Sequence, residues 1–175
     1  MSEKIVSFIQ DQCNKNPELL HKKHCIYFGE KLKLAESFHF RTKSLELQKD
    51  ESAILLICAR GDQGGIAFTN FGLHFTTRQD GFFSPFLLMP KGYCGFINYE
   101  DLKSFQIAYS DKCYGTNYFG HNLVVNKEEM GLVRMGLGIT WDEPVIKFIN
   151  NLSLAMVENC LEEGPDLEKY PETII

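Results

Sequence analysis

The chain has 175 residues and a mass of 20.1 kDa, a length that favours one compact domain. Hydrophobic residues make up 44% of it and charged residues 23%, which excludes the disordered and collagen-like classes. The net charge of -5 lacks the basic excess that favours nucleic acid or an anionic membrane surface, so neither is predicted as a partner. The total still leaves room for a local basic patch.

The N-terminal stretch lacks the pattern of an export signal. The segment MSEKIVSFIQDQC begins with charges and interrupts its apolar run at residues 10–12, and no uncharged apolar window is long enough to cross a membrane. The six cysteines are scattered without a CxxC pair, so reduced thiols are expected rather than a disulfide framework. The sequence therefore predicts a cytoplasmic protein without membrane insertion.

The chain opens with helical patterns. Apolar residues at a spacing of three and four in segment 2–13 predict a first helix, and Asn16 followed by Pro17 predicts the start of a second. In the span 26–48, apolar and charged residues alternate in a way that leaves helix and strand both open.

From residue 50 the pattern becomes typical of antiparallel strands. The aliphatic run AILLICA, the glycine turn GDQGG and the return run 66–76 predict a hairpin, with a further turn at residues 70–72. More strands are predicted in FFSPFLLMP, GYCGFINY, LKSFQIAYS, NLVVN and GLVRMGLG, with a charged turn at residues 127–129. The connections are too short for parallel crossovers, which take about a dozen residues.

The last helix has the clearest signal in the chain. Asp142 is a suitable N-cap, and Pro144 fits the first helical turn. One apolar face is then marked by Val145, Ile146, Ile149, Leu152, Met156 and Cys160. Gly164 and Pro165 are expected to end the helix. The residues that follow are either frayed or packed across the domain, and partial order is expected.

The strand region is similar to a known family. The stretch DESAILLICARGDQGGIAFTNFGLHF has an acidic start, an aliphatic strand, a glycine turn and a return strand. It resembles the first hairpin of the bacterial pleckstrin-homology-like (PH-like) domains that carry a helical segment before the barrel. The stretch KGYCGFINYEDLKSFQI resembles a later strand pair of the same domains. Together with the last helix, the resemblance covers residues 50–161. It implies protein recognition or homo-oligomerisation.

Together these elements predict an α+β domain, in which residues 49–163 form a PH-like antiparallel barrel of about seven strands capped by the C-terminal helix. Residues 1–48 are predicted to form an N-terminal helical extension, and residues 164–175 an acidic tail. The first hairpin turn offers only Arg60 and carries Asp62, so binding of phosphoinositides is not expected.

One cluster contains residue types that bind metals. On a helix, His21, His24 and Cys25 share one side, and imidazole and thiolate groups suit zinc. A fourth ligand is not evident, and Lys22 and Lys23 disfavour a cation. The preferred interpretation is a helix surface with a buried cysteine, and the alternative is a metal site. No cofactor is expected.

A group of aromatic residues is the candidate interaction site. Tyr114, Tyr118 and Phe119 lie in the polar loop CYGTNYFGH, where exposed rings would contribute apolar area with few rotatable bonds. If they are buried instead, they close one end of the barrel. The sequence thus predicts a non-catalytic intracellular interaction or oligomerisation module. The alternative is a small-ligand-binding or metal-dependent enzyme with a pocket between the helical extension and the barrel.

Overall fold

A computed structural model describes residues 2–19, 26–32, 47–58, 65–78, 92–110, 120–132, 143–157 and 161–171. These residues hold two α-helices and eight strands. In chain order they are α1 (Ser2–Lys15), β1 (Ile26–Phe28), β2 (Ala53–Cys58), β3 (Gly65–Thr69), β4 (Gly72–Arg78), β5 (Gly92–Asn98), β6 (Phe105–Ser110), β7 (Gly120–Val125), β8 (Glu128–Leu132) and α2 (Glu143–Val157). Neither of these described helices has the length and hydropathy that crossing a membrane requires.

The strands form two antiparallel sheets that meet at one residue pair. Strands β1 to β5 pair in chain order, and strands β6 to β8 pair in chain order in the second sheet. The two sheets are joined where Arg78 of β4 pairs with Leu132 of β8. The α+β class, the antiparallel pairing and the C-terminal helix are therefore confirmed.

The predicted barrel, however, is not closed. Within the described ranges, no strand pairing connects β1, β5 and β6 into a ring. The physical reason lies in β4, because β5 pairs with it along residues 72–78 while β3 occupies its other edge at residues 73–76. Only the end of β4 remains for β8, whereas a barrel needs continuous pairing around the whole ring.

The first hairpin forms where the sequence predicts it. Leu55 of β2 lies opposite Phe68 of β3, and Ile57 lies opposite Ile66. All four side chains are buried, as expected for strands that contribute to a core. The chain turns again at residues 70–71 and continues into β4, which confirms the predicted meander.

The span that the sequence left open between helix and strand begins with a strand. Ile26 of β1 pairs with Ile57 of β2, and both side chains are buried. Residues 17–19 before it form a turn, and residues 20–25 lie outside the described ranges, so the second predicted helix stays a prediction. The predicted strand in FFSPFLLMP also lies outside them.

The turn between β7 and β8 lies earlier than the sequence predicts. Asn126 and Lys127 occupy it with φ angles of 50° and 67°, and Val125 pairs with Glu128 across it. Two positive φ angles are what a two-residue hairpin turn of type I′ requires, and asparagine tolerates them better than most residues. The predicted turn at residues 127–129 is therefore wrong in its position, because glutamates 128 and 129 belong to β8.

Both helices pack on the same hydrophobic core. Helix α2 buries the predicted apolar face, namely Val145, Ile146, Ile149, Leu152 and Met156, whereas Cys160 lies outside the described ranges. Helix α1 contributes Ile5, Ile9 and Cys13, which recur every fourth residue. Burial raises the pKa of the Cys13 thiol to about 12, so this cysteine is an inert core residue rather than a nucleophile.

Candidate functional site

The aromatic residues predicted to make contacts are not among the described residues. Tyr114, Tyr118 and Phe119 belong to the connection between β6 and β7, of which the structure describes only the two strands. Their role in binding stays a prediction. The two strands that carry this connection are described, however, and they hold buried amide atoms without hydrogen-bond partners.

The candidate metal ligands cannot be placed either. His21, His24 and Cys25 lie between the turn that follows α1 and the start of β1, outside the described ranges. In the part of the chain that the structure does describe, no three histidine, cysteine, aspartate or glutamate side chains are grouped to hold a metal ion. The metal site therefore stays an untested alternative.

The second sheet buries side chains on both of its faces. One face carries Phe105 and Ile107 of β6 and belongs to the main core. The opposite face, here called the outer face, consists of Gln106, Ala108, Asn122 and Val124. Gln106 lies opposite Val124, and Ala108 lies opposite Asn122, so the four side chains form one patch across β6 and β7. All four are buried although they point away from the core.

The chain that follows α2 covers the outer face. This stretch, residues 161–171, is called the C-terminal segment. Tyr170 is 7% exposed and packs against Ala108 and Val124, and its hydroxyl donates a hydrogen bond to Oε1 of Glu129 at 2.9 Å. The backbone N–H of Asp166 donates to Oε1 of Gln106. The described part of the acidic tail, residues 164–171, is thus packed across the domain, which is one of the two arrangements expected from its sequence.

Two lysines hold the beginning of the C-terminal segment. The backbone N–H groups of Glu162 and Glu163 donate to the carbonyl oxygen of Lys103 at 3.1 and 3.2 Å. The Lys103 ammonium lies 3.2 Å from the Glu162 carboxylate, and the Lys127 ammonium lies 2.7 Å from the Glu163 carboxylate. The hydrogen bond to Glu163 raises the pKa of Lys127. All four side chains are exposed, and ion pairs of this kind contribute little to stability.

The turn between β7 and β8 places these lysines together. The side chain of Asn126 accepts hydrogen bonds from the N–H groups of Lys103 and Ser104, at 2.8 and 3.2 Å, and donates one to the carbonyl of Asp101 at 2.8 Å. It therefore joins the turn to the connection between β5 and β6. Lys127 stands at a left-handed position where glycine is the less strained choice, and its ammonium group is used to bind the C-terminal segment.

The outer face also contains buried amide atoms without hydrogen-bond partners. They are Nδ2 and Oδ1 of Asn122 and Nε2 of Gln106, in side chains that belong to residues 0% and 3% exposed. A buried polar atom left unpaired costs about 1–3 kcal/mol, and native proteins contain few of them. Three such atoms lie together on this one covered face.

Helix α2 covers the free edge of β6, which is the last strand of its sheet. Asn150 accepts a hydrogen bond from the N–H of Ile107 at 2.7 Å and donates one to its carbonyl at 2.9 Å. Ser153 donates to the carbonyl of Phe105. This edge is therefore blocked against the addition of another strand at these residues.

A second polar cluster surrounds Glu51, just before β2. Its Oε1 atom accepts a hydrogen bond from the Thr69 hydroxyl at 2.6 Å and lies 2.6 Å from Nε2 of His74. Its Oε2 atom accepts from the N–H of Gln48 at 2.9 Å. Burial disfavours the ionised carboxylate, but the hydrogen bonds from Thr69, Gln48 and His74 outweigh burial and lower the pKa of Glu51.

The groups of this cluster bind each other and hold the fold together. The Thr69 hydroxyl accepts hydrogen bonds from the N–H groups of Phe71 and Gly72, both at 3.1 Å, and the Tyr99 hydroxyl donates to the Thr69 carbonyl at 2.7 Å. The turn between β3 and β4 is thereby fixed to the residue before β2 and to the end of β5. A carboxylate beside an imidazole is also found in catalytic sites, but here the carboxylate is fully buried and its hydrogen bonds are structural.

We expect Glu51→Gln to lower the free energy of unfolding at neutral pH by about 1–3 kcal/mol, because hydrogen bonds to a buried charge are lost or weakened. A carboxyl whose folded-state pKa lies below its ordinary pKa stabilises the fold fully at a pH above the ordinary pKa. This stabilisation is lost as the pH falls from there through the folded-state pKa. Urea unfolding between about pH 3 and pH 7 should therefore show a smaller acid-induced loss in the variant than in the wild type. The exposed Glu3→Gln is the control. Equal acid-induced losses in Glu51→Gln and the wild type would contradict this role of Glu51.

Comparison with known proteins finds no matching family model, no matching curated protein and no matching solved structure. The PH-like resemblance of the strand region therefore stays a prediction. Function has to be inferred from the geometry of the chain. The candidate site is the outer face, because it buries unpaired amide atoms beneath the C-terminal segment.

Proposed function

We propose that the chain is a non-catalytic intracellular protein-interaction module. Its contact surface would be the outer face of β6 and β7, extended by the loop that joins them and contains Tyr114, Tyr118 and Phe119. The partner would be another protein or a second copy of the chain. The cysteines are scattered without a CxxC pair, so reduced thiols are expected, and this expectation supports a cytoplasmic location.

The observation that carries this proposal is the set of unpaired amide atoms of Gln106 and Asn122. A face that served only stability would bury apolar side chains at these positions, because each unpaired buried amide atom is unfavourable. A face that binds a polypeptide needs donors and acceptors within an apolar surface, and the outer face combines them with Ala108 and Val124.

A PH-like architecture is the finer part of the same proposal. Two antiparallel sheets followed by a C-terminal helix are compatible with it, and the sequence resemblance to bacterial PH-like domains supports it. In such an arrangement the sheets and the helix form a scaffold, whereas recognition resides in surface positions that vary between proteins.

The experiment is affinity capture from native lysate with quantitative mass spectrometry. We expect proteins retained by the wild type to be depleted about fivefold or more with Asn122→Leu, which fills the same space without hydrogen-bonding atoms. The control is Asn151→Leu, since Asn151 is exposed on α2. The double variant Tyr114→Ser with Tyr118→Ser tests the loop and should deplete the same proteins with little change in melting temperature.

Two results would contradict the proposal. One is an identical set of retained proteins for the wild type, Asn122→Leu and the Tyr114 and Tyr118 double variant. The other is the retention of no protein above the empty support, together with a monomeric chain in sedimentation velocity. Either would remove the outer face and its loop as a contact surface.

A further inference from the structure

The outer face has the features of a site for an extended peptide. Asn150 shows how an asparagine side chain pairs with an extended backbone, because its amide binds both the N–H and the carbonyl of Ile107 in strand β6. Asn122 presents the same two atoms unpaired, and Gln106 adds a third amide atom beside them. The complementary ligand group is a peptide unit of an extended chain, which offers one donor and one acceptor.

The charge around the outer face indicates what kind of peptide fits. Lys103 and Lys127 bind consecutive carboxylates of the C-terminal segment, and Ala108 and Val124 bind the ring of Tyr170. The surface therefore offers two ammonium groups at one end, an apolar middle, and the Glu129 carboxylate that accepts a hydrogen bond from the tyrosine hydroxyl. An acidic segment followed by an aromatic residue is complementary to these features.

The C-terminal segment fits this surface only in part. It satisfies the lysines and the apolar patch, and its Asp166 N–H reaches Gln106, but the Asn122 amide receives no hydrogen bond. Its ion pairs are exposed and contribute little to stability, so Tyr170 is the main anchor. A peptide in trans that also pairs with Asn122 can compete with it.

From these contacts we infer that the outer face is a binding site for an extended acidic peptide with an aromatic residue, and that the C-terminal segment occupies it as a displaceable intramolecular ligand. This inference rests on the proposed function and adds to it the chemistry of the partner and an autoinhibitory contact. Binding of the partner requires release of the segment, so the apparent affinity equals the intrinsic affinity multiplied by the fraction of molecules in which the segment is released.

The test uses a fluorescent synthetic peptide, LEEGPDLEKYP, which has the sequence of residues 161–171. Anisotropy should show it binding to the full chain carrying Tyr170→Ala about tenfold or more tightly than to the wild type, because the variant weakens the resident segment. Peptides in which the tyrosine is replaced by alanine, or both adjacent glutamates by glutamine, should bind the Tyr170→Ala chain less tightly, by about tenfold and threefold or more respectively.

Variants of the face separate binding from folding. In the Tyr170→Ala chain, adding Lys103→Glu and Lys127→Glu should weaken peptide binding by about tenfold or more, whereas Lys4→Glu with Lys147→Glu, on exposed helix positions, should leave it unchanged. Adding Gln106→Leu should weaken binding, because the peptide N–H that corresponds to Asp166 loses its acceptor. The urea midpoint should change little, because the same variant also removes an unpaired buried amide atom. The paired result distinguishes a binding residue from a structural one.

The outcomes also distinguish this inference from the proposed function. If no peptide binds the Tyr170→Ala chain while Asn122→Leu still depletes proteins from the lysate capture, the acidic peptide is the wrong ligand and the interaction function stands. If the Tyr170→Ala chain instead forms a concentration-dependent dimer and binds no peptide, the face belongs to a second copy, and the inference is overturned. If both the peptide and the lysate experiments are negative, both proposals fail.

Discussion

We expect Asn150→Leu to lower the free energy of unfolding by about 2–4 kcal/mol, although leucine resembles asparagine in size and favours helix. The substitution removes the partner of two buried backbone groups, the N–H and the carbonyl of Ile107. Each of these groups would lose its hydrogen bond without gaining water, since Asn150 and Ile107 are both 0% exposed.

Urea unfolding at neutral pH measures this effect. The matched control is Asn151→Leu, because Asn151 is the next residue of the same helix and is exposed. It should change the free energy of unfolding by less than about 0.5 kcal/mol. If both variants lost the same amount of stability, the hydrogen bonds of Asn150 would not be what holds α2 against the edge of β6.

Replacing Ile149 with alanine should lower the free energy of unfolding by about 2–5 kcal/mol. Ile149 lies on α2 and is fully buried in the core, so the substitution removes apolar burial and leaves a cavity. Thermal and urea unfolding should agree on the direction of the change.

The control for this variant is Leu154→Ala on the same helix. Leu154 is 47% exposed, so its truncation should have a small effect. A loss below about 0.5 kcal/mol for Ile149→Ala would mean that the face of α2 assigned to the core is solvated.

The parts of the fold that depend on local sequence were predictable. The apolar face of α2 follows from helical spacing, and the β2–β3 hairpin follows from an aliphatic run, a glycine turn and a β-rich return. The prediction of a closed barrel was wrong, because closure depends on how much of β4 already pairs with β3 and β5. No local sequence pattern indicates the extent of that pairing. Strand β1 was ambiguous because only its pairing with β2 distinguishes it from a helix.

The candidate site was harder to predict for a related reason. Gln106 and Asn122 stand at polar positions of alternating strands, where the usual expectation is a solvated face. The C-terminal segment that contacts Gln106 comes from 60 residues further along the chain, so this contact has no local signal. Asn150 was missed similarly, because its partner Ile107 is 43 residues away.

The most direct test of the outer face as the site of the acidic peptide is the side-chain amide spectrum of Gln106, the residue that accepts the Asp166 N–H. In 1H–15N correlation spectra of the Tyr170→Ala chain, titration with the acidic peptide should shift the side-chain amide resonances of Gln106 and saturate with the binding curve. The side-chain amide of Asn151, exposed on α2, should not move. Saturable peptide binding that leaves the Gln106 resonances unchanged, or no binding of the peptide at all, would contradict the assignment of this face to an acidic peptide.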